Sequence, residues 1–145
     1  MGRTKFFGVA AALAISSSVA LALTVNPGHW MGTVSGLDDA KTTGTGMMMP
    51  TADGAGTDVT LDLKGETAGV TRPWHVHLGT CAKGGGVFGG GRAYTPITVD
   101  DKGNGSAKAT LMVAVPDTGT YHINVHESSA NMSKIVACGD LSYMK

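Results

Sequence analysis

The sequence predicts an all-β domain, on three observations: abundant glycine, sparse charge, and apolar residues that alternate with a period of two. Glycine supplies 22 of the 145 residues, charged residues only 15% and aromatics 6%. That profile favours short strands joined by tight turns over coiled coils or helical bundles. Hydrophobic residues make up 42%, and their alternation speaks against disorder. The length is that of one domain with a modest core.

Taken in order, residues 31–37 read as a first strand and 47–49 as part of a second. Residues 57–63 show the pattern most plainly, with Val59, Leu61 and Leu63 apolar and Asp58, Thr60 and Asp62 polar between them. This is a half-buried strand with a wet outer face, closed by Gly65. Another strand covers 74–78 and stops at Gly79. Residues 93–99 and 107–115 read as a strand pair, because Asp100 to Gly105 has the chemistry of a hairpin turn. A turn at Pro116 to Gly119 leads into a strand over 121–126, and 134–138 forms the last. No segment carries a 3.6-residue apolar stripe with caps. Many short strands with turn residues between them predict a sandwich or barrel, in one domain without repeats or linkers.

The first 22 residues read as a signal peptide rather than as part of the fold. Arg3 and Lys5 give a positive start, residues 6–22 are almost wholly apolar, and Ala20-Leu21-Ala22 fits the small-x-small cleavage rule. The competing reading is an uncleaved anchor; the abrupt change at Asn26-Pro27-Gly28 favours cleavage. The mature domain is therefore expected to span residues 23–145, exported to the periplasm or the medium, with no membrane association afterwards. Eleven basic residues balance eleven acidic ones, so no electrostatic footprint for nucleic acid exists. The only two cysteines, Cys81 and Cys138, are expected to pair in an oxidising compartment, two free thiols being the exception there.

The chain has five histidines, and four of them fall on two predicted strands. His75 and His77 are two residues apart, so both rings point to one face with Cβ atoms about 7 Å apart, close enough to converge on one ion. His122 and His126 also share a face, but lie about 13 Å apart along the strand. One ion cannot easily take both, and His122 reads as a surface histidine.

The order Trp74-His75-Val76-His77, then Cys81, then Val125-His126-Glu127, then Val136-Ala137-Cys138-Gly139 resembles the copper-zinc superoxide dismutases. The likeness covers residues 35–141, loosely before Thr71 and closely after Tyr121. It implies a Greek-key β-sandwich, copper ligands at His75, His77 and His126, and a Cys81–Cys138 disulfide. The family's long loop after its first half-cystine holds the copper-zinc bridging histidine, two zinc histidines and a zinc aspartate. Here that stretch is residues 82–92, which contain no histidine and no carboxylate, so the resemblance implies copper and no zinc. The anion-guiding arginine of the family is replaced by Ile135. Lys134 is adjacent, but a one-residue offset on a strand points it to the other face.

Gly84 to Gly89 spells G-x-G-x-x-G, yet no βαβ unit follows, so it is read as a flexible shortened loop and not as a dinucleotide fingerprint. Met31, Met47, Met48 and Met49 carry thioethers, which suit Cu(I), but methionines on strands are more often core filler. His29 and His122 are further metal-ligand candidates, His29 as a replacement fourth ligand. Three functions fit these residues. The first is an exported copper-binding protein with one copper on three histidines. The second is a copper-only superoxide dismutase, with superoxide as substrate. The third is a metal-free β-sandwich used for structure or interaction. The missing arginine and bridging histidine argue against the enzyme, and the retained histidines against the third reading. The residues name no catalytic group and no oligomeric state.

Overall fold

A computed structural model describes residues 1–2 and 27–145; the segment read as a signal peptide lies outside the described residues from position 3 onwards. The described residues form ten strands, β1 (His29–Gly36), β2 (Thr43–Pro50), β3 (Thr57–Lys64), β4 (Thr71–Arg72), β5 (Trp74–Thr80), β6 (Lys83–Val87), β7 (Ile97–Thr98), β8 (Gly105–Leu111), β9 (Tyr121–Ser128) and β10 (Asn131–Met144). Eight of them form one antiparallel sheet in the order β6-β5-β9-β10-β1-β2-β3-β8, while β4 and β7 make a separate two-stranded piece.

The sheet is curled. Along β3 every second side chain, from Thr57 to Leu63, is buried, and the residues between them are exposed or half-exposed. The same period of two in β1, β5 and β8 gives one apolar face, and curling that face inward removes it from water. The core holds Trp30, Val34, Met48, Leu61, Trp74, Val76, Ile97, Leu111, Ile123 and Val125. Opposite walls meet inside it: a Cβ added at Gly46 of β2 would run into Ile123 Cδ1 of β9. The edges also approach one another, because a Cβ at Gly89, just past β6, would stand 2.8 Å from Leu111 Cδ1 at the end of β8.

Three connections carry the chain from one edge region of the sheet to the other, β3 to β5, β6 to β8 and β8 to β9. The first is clipped twice. Strand β4 pairs with β7, and the guanidinium of Arg72 donates to both carboxylate oxygens of Glu66 and, at 2.6 Å, to the carbonyl of Glu127 near the end of β9. Both side chains of this ion pair are largely buried, at 13% and 5% exposure. They fix where β5 begins.

Three expectations need correction. The turn at residues 100–104 forms, with Asp100 Oδ1 accepting from the amides of Lys102 and Asn104. Its flanks do not pair as a hairpin, because β7 is committed to β4 and β8 to β3. The backbone of Val99 is already bonded to Val70 and Gly69. Gly79 does not end its strand; it sits at a positive φ of 88° where the β5–β6 register shifts. The glycine stretch is not simply a loop: Lys83–Val87 pairs with β5 as an edge strand.

Candidate metal centre

Strands β5 and β9 are neighbours, with Trp74 opposite Val125, His75 opposite Asn124, Val76 opposite Ile123 and His77 opposite His122. Trp74, Val76, Ile123 and Val125 are completely buried. Because side chains alternate, locking these four into the core forces His75, His77, His122 and His126 onto the other face together. The apolar pattern of two strands therefore builds the histidine cluster.

Among the described residues, His75, His77 and His126 form the one group of such ligands able to hold a metal ion, their ligand nitrogens all within 4.8 Å of one another. Each ring is held. His77 Nδ1 lies 3.0 Å from the carbonyl of Gly85 and His126 Nδ1 lies 2.6 Å from that of Met132. A carbonyl only accepts, so both Nδ1 atoms carry the proton and both Nε2 atoms carry a lone pair. His75 Nδ1 lies 3.1 Å from His126 Nε2. Since that Nε2 has no proton, His75 Nδ1 donates to it, and a metal held through His75 Nδ1 would require the His75 proton to sit on Nε2 instead. His77 Nε2 is buried with no hydrogen-bond partner. A buried orphan nitrogen is costly, and an ion there would satisfy it. The other two rings bring their ligand nitrogens within 4.8 Å of it, a spacing on the scale of one small ion with metal–imidazole bonds of about 2.0–2.1 Å. The residues fit a metal.

Burial first, then the neighbouring His126 and His77, hold the His75 imidazole neutral down to about 4. His126 is shifted down by burial, against the Met132 carbonyl that favours its charged form. His122 is shifted down as well, again chiefly by burial. Between the ordinary histidine value and these lowered ones, the unfolded chain binds protons that the folded chain does not, so acid favours unfolding. The melting temperature of the metal-free protein is expected to fall steadily between pH 7 and pH 4.5. A flat profile over that window, measured by calorimetry, would contradict the buried neutral rings.

The structure places the remaining candidates elsewhere. His122 is not a surface histidine: it is 1% exposed and stacks on His77, with ring centroids 5.4 Å apart at 26°. It is covered by β6, where a Cβ on Gly84 would stand 3.2 Å from its Cε1 and Nε2. His29 pairs with Met144 near the far end of β10, whereas His126 faces Ile135 near the start of that strand. At 3.3 Å per residue this is about 30 Å along the strand, so His29 is not brought to the triad. Lys134 is engaged with Glu127 at 2.5 Å.

Sequence reasoning missed what the glycines do. Gly84 lets backbone lie over His122, Gly85 supplies the carbonyl that orients His77, and Gly91 stands beside His75, where a Cβ would lie 3.5 Å from Nε2. The legible signal was a glycine run directly after a histidine-bearing strand, which marks close backbone approach as well as a loop. Cys81 and Cys138 are joined, consistent with an oxidising compartment. Among the described residues no helix is long and apolar enough to cross a membrane. No family model matches the chain, and no curated protein matches it.

Proposed function

We propose that this is an exported copper-binding protein with the Greek-key sandwich of the copper-zinc superoxide dismutases, one copper ion held by His75, His77 and His126, and no zinc site. The observation that carries the reading is the orphaned Nε2 of His77 beside two other imidazoles whose orientations are set by hydrogen bonds. An all-nitrogen donor set suits copper, which heads the divalent affinity order. The connections between distant strands, β3 to β5, β6 to β8 and β8 to β9, are consistent with a Greek-key arrangement. Backbone carbonyls on two ligating rings are the usual second layer of a metal site, fixing tautomer and raising basicity. Copper would supply a one-electron couple. The chain supplies the three nitrogens and the pinned rings, and keeps His75 neutral and ready to bind.

Binding without fast turnover fits better than dismutation. Superoxide is an anion that a positive charge focuses; Ile135 occupies the place of the family's arginine, Lys134 is paired with Glu127, and a further cation near the triad is the exposed Arg92 after Gly91. The test is a Cu(II) titration of the disulfide-intact exported protein followed by electron paramagnetic resonance. One species with nitrogen couplings, lost in His75→Ala, is expected. No stoichiometric binding would sink the reading in favour of a metal-free module. Dismutation faster than free copper under chelator control would replace it with the enzyme.

A further inference from the structure

The outer face of the sheet is not uniform. On β3 and β8 it is polar and cross-linked: Ser106 donates to Asp62, and Lys108 and Thr110 both reach Asp58. At the neighbouring end of β1 and β2 the outward positions are His29, Met31, Met47 and Met49, while Trp30 and Met48 between them are buried. Met31 lies directly opposite Met47, His29 lies directly opposite Met144 of β10, and Met49 follows Met47 by two residues on the same face. Direct cross-strand partners have Cβ atoms about 4.5–5.5 Å apart, and same-face neighbours along a strand about 7 Å. Four thioethers and one imidazole therefore share one patch on three adjacent strands. Met49 and Met144 are 41% and 42% exposed, so they are not core filler. Both cysteines are tied up in the disulfide, which leaves thioether sulfur as the soft donor of this protein.

We propose that His29, Met31, Met47, Met49 and Met144 form a second metal site, for a soft monovalent ion of the Cu(I) class. Thioether sulfur selects that class, and imidazole is compatible with it. The site is remote from the histidine triad and stands or falls independently of the reading given above. The flexible, unbranched side chains can gather their sulfurs around an ion from outward rotamers without disturbing the sheet.

The test uses Ag(I), a redox-inert ion of the same class, titrated into the disulfide-intact exported protein in chloride-free buffer and read from methionine methyl carbon–proton spectra. Saturable movement of the Met31, Met47, Met49 and Met144 methyls is expected. Met48, buried in the core, and Met112, 95% exposed beyond β8, should stay still. Met47→Leu with Met49→Leu, which conserves volume at outward positions, should weaken binding about tenfold or more. The same titration in His77→Ala should leave the methyl movements intact, so failure of the triad and failure of this site are read separately. The proposal is overturned if the shifts never saturate or if Met112 moves as much as the others. Methyl shifts that follow protein concentration without metal would also overturn it, marking a self-association face.

Discussion

His126→Ala is expected to weaken copper binding by more than about 100-fold. Losing only the partner of a ligand typically costs 10–100-fold in affinity, and here a ligand is lost together with the group that orients another. His126 is the triad's single contribution from β9. It is 5% exposed, its Nε2 accepts from His75, and its Nδ1 donates to Met132. Removing it leaves His75 without an orienting partner and takes away the hydrogen bond to the Met132 carbonyl, at about 0.5–1.5 kcal/mol of fold stability for the latter. Competition titration against a chelator of known strength measures the affinity. A urea transition on the same sample shows whether the variant is folded. His77→Ala is the companion variant, since its ring bonds only to the edge strand at Gly85, and it should lose affinity with a smaller stability cost. Less than a threefold change in both variants would remove the triad from copper binding.

Much of this site was legible because it is built from alternation. The apolar positions of 74–78 and 121–126 settle which way each strand faces, and that alone puts the histidines on one side. Spacing along a strand could say that His122 and His126 do not share an ion. It could not say what lies across the strand, so the stack of His122 on His77 was invisible until β5 and β9 were known to pair. The glycine segment misled for a related reason. Glycines weaken a strand in isolation, and β6 exists because β5 offers it a free edge and because Lys83, Gly84 and Val87 all find partners there. The turn at Asp100 was right while its expected strand pair was wrong, since local turn chemistry does not choose the partners of the strands that follow. His29 shows the same limit at longer range: its chemistry was readable, while its distance from the triad depended on the register of β1 against β10.

Replacing both cysteines with serine is expected to cost about 4 kcal/mol of stability, because the Cys81–Cys138 bond closes a sequence separation of 57 residues and the chain-entropy account scales with the logarithm of that loop. For a domain of this size the midpoint of thermal unfolding should fall by about 15 °C. The bond also has a place in the site. Cys81 follows the end of β5 and Cys138 lies on β10, so the bridge passes between the two neighbours of β9 and ties the β5–β6 turn down beside His122. The Cys81 amide donates to Asp140 Oδ1 at 2.7 Å, which anchors the same turn a second time. Strand β6 has only β5 beside it, and it carries the Gly85 carbonyl that orients His77. Loosening the turn should therefore lower copper affinity several-fold as well as stability, with the Asp140 anchor limiting the loss. Urea unfolding and chelator competition on the double-serine variant read the two effects separately. A stability loss below about 1 kcal/mol would mean that the unfolded chain is already constrained without the bond. An unchanged affinity would mean that β6 holds His77 without help from the bridge.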